Sequence, residues 1–169
     1  MFDLLHLNTF KVSAKAKKIF FLKELKDIKK IFPFSNPLIL GLGANILFTK
    51  DFNGVVVKNC LKGTTILSEE DNTVTIEVAS GETWHDFVSN SVKKGWGGIE
   101  NLALIPSSIG AAVSQNIAAY GQNIEDVIVS VRGTNLKTKE QFCFSKKECQ
   151  FNYRGSFFKR SPEYFITHC

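Results

Sequence analysis

The chain has 169 residues, a formal net charge of +5, 44 % hydrophobic and 22 % charged residues, and a mean hydropathy of −0.02. That length predicts one domain or two small lobes, the composition excludes a disordered chain, and no apolar run approaches the roughly 18 residues a membrane helix needs. Met1 to Leu7 includes Asp3 and lacks a basic leader and a small-residue cleavage site, so a cytoplasmic protein with no membrane association is expected.

The positive charge is concentrated in Lys11, Lys15, Lys17, Lys18, Lys23, Lys26, Lys29 and Lys30. Glu24 and Asp27 interrupt the run and no aromatic residue sits in it at a recognition-module spacing, so a solvated face is expected and nucleic acid is not. Cys60, Cys143, Cys149 and Cys169 form no C-x-x-C pair and have no histidine at ligand spacing. They read as reduced packing residues, and no metal is expected.

In chain order, Ile19 to Leu22 predicts a short buried strand, and Leu25, Ile28 and Phe32 predict a helix that Pro33 stops. Leu38 to Leu40 predicts a second buried strand that runs directly into Gly41-Leu42-Gly43-Ala44-Asn45. Ile46 to Phe48 and Val55 to Val57 read as strands on either side of a turn at Asn53-Gly54. Val74 to Val78 alternates as a half-buried strand. A helix follows, with Thr83 and Asp86 as a capping box, Trp84, Phe87, Val88 and Val92 on one face, and Gly95 at its end. Ser107 to Ala119 then avoids bulk, and Val127 to Val131 and Gln141 to Phe144 return to strand character. A weak boundary falls near Gly63.

Two of these segments can hold an anion. The Gly41-x-Gly43 turn lets consecutive backbone amides face a phosphate, but Ile46 stands where a dinucleotide fingerprint needs its third glycine and no helix opens there. Pro106, Ser107, Ser108, Gly110, Ala111 and Ala112 suit a short helix start with open amides, and Gln115 to Gly121 follows with amide side chains and Tyr120. Close packing between elements is the alternative that small residues equally permit.

Taken together, Asn8-Thr9-Phe10, Gly41 to Leu47, Gly81 to Trp84, Glu100 to Pro106, Gly110 to Ala112, Gln115 to Ile117, Ala119 to Gly121 and Tyr153-Arg154 resemble, in order, the UDP-N-acetylenolpyruvoylglucosamine reductases of peptidoglycan synthesis. The resemblance implies the α+β, two-lobed FAD-binding fold of the vanillyl-alcohol-oxidase (PCMH-type) flavoproteins, with residues 1–62 as one lobe and 63–169 as a second, incomplete one. It implies that Gly41, Leu42, Gly43, Ala44, Asn45, Ile46 and Leu47 hold the FAD diphosphate together with Pro106, Ser107, Ser108, Gly110, Ala111 and Ala112, while Asn116, Ile117, Tyr120 and Gly121 lie along the rest of the flavin. NADPH as hydride donor, UDP-N-acetylglucosamine enolpyruvate as substrate, Arg154 as the catalytic cation, Tyr153 as a substrate contact and a monomeric state follow by the same likeness.

The chain also departs from that pattern. Ser107 and Ala118 stand where glycines are usual, Val113-Ser114 replaces a Pro-apolar pair, and Gly155 replaces an acidic or polar residue. Gly155-Ser156-Phe157-Phe158-Lys159 copies the family's proton-donor motif only superficially, because it directly follows Tyr153-Arg154 and Arg160-Ser161-Pro162 stands where Asn-Pro is expected. The resemblance therefore implies that the substrate domain with its serine donor and glutamate is absent, leaving the flavin-binding part, catalytically incomplete by itself. An oxidase of the same superfamily and a basic nucleic-acid-binding domain are the competing readings. His6, His85 and His168 form no triad, and Trp84 and Trp96 read as packing residues.

Overall fold

The first sheet grows from the apolar runs around Phe20 and Val56. The computed structural model describes every residue from Met1 to Cys169. In it β1 (Phe2–Asp3), β2 (Lys15–Leu22), β3 (Leu38–Leu40) and β4 (Phe52–Asn59) form a sheet ordered β1-β2-β4-β3. Both β2 and β3 run parallel to β4, so the chain between β2 and β3 crosses over one face. That crossover is a 3-10 segment, Leu25–Lys30, in place of the expected longer helix. It buries Ile28, and Ile31 just beyond it, against Leu22, Val57, Leu61, Ala79 and Phe165. Pro33 lies three residues beyond it and prevents the segment from continuing as a longer helix.

Asn53-Gly54 lies inside β4 and is not a turn. Ala16 pairs with Phe52 and Lys18 with Val55, so one residue of β2 opposes two of β4. The glycine marks a β-bulge, which a strand tolerates more readily than a reversal when its partner runs parallel. Ile46 to Phe48, expected as a strand, pairs with nothing, because Phe48 turns inward to pack with Leu4, Ala14, Ala16, Leu40 and Val56.

The second half is antiparallel. β5 (Thr64–Glu70) and β6 (Thr73–Val78) form a hairpin. α1 (Trp84–Lys93) and α2 (Ile109–Gln115) follow, then a two-residue ladder of β7 (Ala118–Ala119) and β8 (Gln122–Asn123). β9 (Ser130–Asn135), β10 (Gln141–Ser145) and β11 (Tyr164–His168) make a sheet ordered β10-β9-β11, with the short helix α3 (Phe157–Arg160) before β11. The strand expected over Val127 to Val131 thus begins only at Ser130, since Val127 ends a 3-10 turn. Val78 and Cys169 exchange both backbone bonds, at 2.8 and 3.0 Å, and tie the end of β11 to β6.

α1 buries Trp84, Val88 and Ser91, the i, i+4, i+7 stripe of an amphipathic helix, while Val92 faces solvent. Thr83 is the N-cap, yet its side chain makes no capping bond, so the expected capping box does not form. The carbonyl of Ser107 accepts from the Trp84 amide at 2.8 Å and satisfies the helix start from outside. The main core joins α1 and α2 to the sheet through Val78, Leu102, Ile109, Val113, Ile124, Val131 and Ile166. Phe142, Phe144, Phe157, Phe158 and Tyr164 stack edge and face beneath α3 and fix that helix on the sheet. All four cysteines are free, and burial pushes the Cys149 thiol up to about 12. No helix is long and apolar enough to cross a membrane.

Candidate functional site

The first wall is the turn that leaves β3. Gly43 has φ +72°, and a Cβ there would lie 2.0 Å from the Leu7 carbonyl oxygen, so only glycine lets this turn close on the N-terminal segment. The Thr9 amide donates to the Gly43 carbonyl at 3.1 Å, and Lys58 Nζ, reaching from β4, donates to the Gly41 carbonyl. Burial lowers the Lys58 pKa from its ordinary value. The backbone amides of Leu42, Gly43, Ala44, Asn45 and Ile46 donate to no protein acceptor. A run of open amides in a solvent-reached turn is an anion cradle.

The second wall is the start of α2. The Ile109 amide donates to the Glu82 carbonyl and the Gly110 amide to the Ser80 carbonyl, both at 2.9 Å, so two of the amides expected to be open are consumed. Those of Ser107, Ser108 and Ala111 remain free. A Cβ on Gly110 would come within 2.8 Å of Ser80 Cβ, so this glycine serves close packing. The Ser107 hydroxyl donates to the Ser108 carbonyl at 3.0 Å. Its extra atoms are therefore folded back on the backbone.

The two walls meet in one cleft of about 450 Å³. Gly41, Leu42, Gly43, Ala44, Asn45 and Ile46 line it together with Pro106, Ser107, Ser108, Gly110 and Ala111. A Cβ built on Gly41 would stand 2.5 Å from Ser108 Oγ and 3.3 Å from Ala111 Cβ. Across the same gap Asn45 Nδ2 donates to Gln115 Oε1 at 2.7 Å. Gln115, one of the amide side chains noted in the sequence, also lines the cleft, as do Asn59, Ser114 and Lys159, which were not expected to hold the cofactor. Asn59 is held by its bond to Ser80 Oγ at 2.8 Å, and Lys159 is carried in by α3.

The other expected residues lie elsewhere. Leu47 faces solvent, and Ala112 and Ile117 are core residues. Asn116, in the left-handed conformation at the end of α2 and 3 % exposed, spends its side chain on the Asn152 carbonyl (3.1 Å) and the Glu125 amide (3.3 Å). Tyr120 is 89 % exposed on the turn it shares with Gly121. Tyr153 (95 % exposed) and Arg154 sit on a tight turn closed by reciprocal Asn152 and Gly155 backbone bonds at 3.0 and 3.1 Å, with Arg154 at φ +54°. Asn116 and the Ser156 hydroxyl, which donates to the Ser114 carbonyl at 2.8 Å, pin this turn to the end of α2. Lys159 Nζ donates to the Arg154 carbonyl at 2.7 Å and links the turn to the cleft. Ser156 is wholly buried and its hydroxyl is committed. His85 accepts from the Leu104 amide at 3.2 Å, a structural contact.

A mostly apolar cleft of this volume with eight open amides from two walls fits an elongated ligand with anionic groups at its middle. The chain is 44 % identical, over 98 % of its length and 51 % of the relative's, to the UDP-N-acetylenolpyruvoylglucosamine reductase of Flavobacterium johnsoniae. It is 41 % identical to the reductase of the same name from Buchnera aphidicola, over 93 % of this chain and 47 % of that one. The chain spans about half the length of these relatives. The crystal structure of UDP-N-acetylenolpyruvylglucosamine reductase (MurB) from Thermus caldophilus superposes with a TM-score of 0.78 at 21 % identity, covering 98 % of this chain and 58 % of that one, and the α+β fold is shared with it. A family model described as the FAD binding domain matches residues 22–137, and by that match, over more than half its length, the chain belongs to the FAD binding domain family.

Proposed function

We propose that the chain supplies the flavin-binding part of a UDP-N-acetylenolpyruvoylglucosamine reductase, acting in the cytoplasm in peptidoglycan synthesis. The observation that carries this reading is that Leu42 to Ile46 and Ser107, Ser108 and Ala111, whose backbone amides have no protein acceptor, line one cleft. Those groups would hold the diphosphate of FAD without needing a charged side chain in contact with it. When bound, FAD supplies a ring that accepts hydride from NADPH and yields it to the vinyl carbon of the enolpyruvyl ether.

Gly41 keeps the gap between the walls clear, while Gly43 and Gly110 let the two walls pack tightly on Leu7 and Ser80 behind them. Asn45 and Gln115 close one end of the cleft by their mutual bond and orient the walls. Arg154, presented on its pinned turn, meets the substrate carboxylate and stabilises the negative charge that hydride addition leaves on the adjacent carbon. A guanidinium suits this role because it stays charged and can donate two parallel bonds to a carboxylate. Tyr153 lies beside it as a substrate contact.

The test is a titration of the purified chain with FAD followed by flavin fluorescence and absorbance. Saturable one-to-one binding, giving a yellow protein, is the expected result, with no steady turnover of the enolpyruvyl substrate by this chain alone. A colourless protein that leaves flavin fluorescence unchanged sinks the proposal.

A further inference from the structure

Lys58 is the one lysine that reaches behind the cleft wall. It lies on β4 in register with Leu40, the last residue of β3, so its side chain arrives at the point where the chain begins the turn. Its ammonium donates to the Gly41 carbonyl and forms no ion pair with any carboxylate. A half-buried ammonium without an anionic partner carries an uncompensated charge, and here only a neutral carbonyl offsets it. The ionisable neighbours that act on it are Cys60 and Lys62, and neither supplies a compensating carboxylate.

The bond also fixes a direction. No peptide bond in the chain is cis, and in a trans peptide the C=O of one residue and the N–H of the next point to opposite sides of the plane. With the Gly41 carbonyl drawn toward Lys58, the Leu42 amide is turned the other way, and it is the first of the five unpartnered amides. The Thr9 amide does the same to the Gly43 carbonyl and so turns the Ala44 amide away from the N-terminal segment. Lys58 does not line the cleft, whereas Gly41 and Leu42 do.

We infer that Lys58 is a positioning residue for the anionic part of the ligand: it clamps the Gly41 carbonyl so that the Leu42 amide faces the cleft, and it places a fixed positive charge directly behind the diphosphate cradle. The inference rests on the reading of the cleft as an FAD site and names a residue that acts there without touching the ligand.

The experiment compares wild type with Lys58→Met and Lys58→Arg, titrating each with FAD at low and high salt and recording thermal unfolding alongside. A charge this close to a diphosphate is worth roughly tenfold or more in affinity at low salt, and screening shrinks that advantage. The expected result is FAD affinity lowered at least tenfold in Lys58→Met at low salt, a gap that narrows at high salt, and recovery to within about threefold in Lys58→Arg. Lys58→Met binding FAD as wild type does, or a loss that Lys58→Arg does not reduce, overturns the inference while leaving the FAD site intact. Failure of wild type itself to bind FAD overturns the reading beneath it.

Discussion

Gly43→Ala is expected to lower the unfolding temperature by about 10 °C and to abolish FAD binding at temperatures where wild type is folded. Two costs add. The left-handed φ of +72° costs an alanine about 1 kcal/mol, and the new methyl would stand 2.0 Å from the Leu7 oxygen, a backbone atom that cannot rotate aside. Relief requires the N-terminal segment to move, which breaks the Thr9 bond to the Gly43 carbonyl and uncovers the packing of Leu4 against Ala16 and Val56. Overpacking of this kind costs about 1–3 kcal/mol or more, out of a total stability of about 5–15 kcal/mol. Circular dichroism melting checks the first part and flavin titration the second. An alanine variant that melts with wild type would mean that the turn does not bear on the N-terminal segment.

Gly41→Val is expected to leave the fold standing and to weaken FAD binding by roughly 10- to 100-fold. Gly41 has an ordinary negative φ, so the substitution carries no left-handed penalty. Its Cβ instead meets Ser108 Oγ at 2.5 Å and Ala111 Cβ at 3.3 Å, the facing wall of the cleft. The methyls must push α2 away or fill the gap, and either outcome spoils the alignment of the two sets of amides. The same geometry provides a rescue. Ser108 makes no side-chain capping bond to α2, and its Cβ would lie 3.5 Å from the new atom, an ordinary contact. In Gly41→Ala the loss should therefore be largely reversed by Ser108→Ala, and a double-mutant cycle on FAD affinity reads the coupling. Additive losses would place the two residues apart.

Much of the architecture was legible where a segment buries one face. Val74 to Val78 alternates because one side meets the core, and Trp84, Phe87 and Val88 fall at helical spacing because one stripe does, although Val92, expected on that stripe, faces solvent. Thr64–Glu70 is exposed along its whole length and is a strand only because β6 pairs with it, so its sequence carries no period to read. Tyr164–His168 escaped notice for a related reason. Its inward residues Phe165 and Ile166 belong to two different cores, and neither partner is near it in the chain. The Asn53-Gly54 pair carried a real signal, a backbone irregularity, but whether it became a turn or a bulge depended on a parallel neighbour contributed by residues 15–22.

At the cleft, the two runs of small residues were readable because the absence of bulk is itself a pattern. Lys58, Asn59 and Lys159 were not, since a lysine or asparagine at the end of a strand or on a short helix looks like any surface residue until sheet register aims it. Asn116 shows the converse. Its amide reads as a ligand contact, but the left-handed end of α2 turns it toward Asn152 and Glu125, where it holds the Tyr153-Arg154 turn in place.

The way α1 begins gives the molecule an internal optical gauge. Trp84 is 2 % exposed, with its indole nitrogen donating to the Leu102 carbonyl at 2.7 Å and its own amide bonded to Ser107 on the rim of the cleft. Trp96, the other tryptophan, lies near the surface under Lys94, so the two indoles differ in their surroundings. An isoalloxazine absorbs in the near ultraviolet where a shielded indole emits, so occupancy should dim the shorter-wavelength emission from Trp84, and Trp84→Phe should remove that response while Trp96→Phe keeps it.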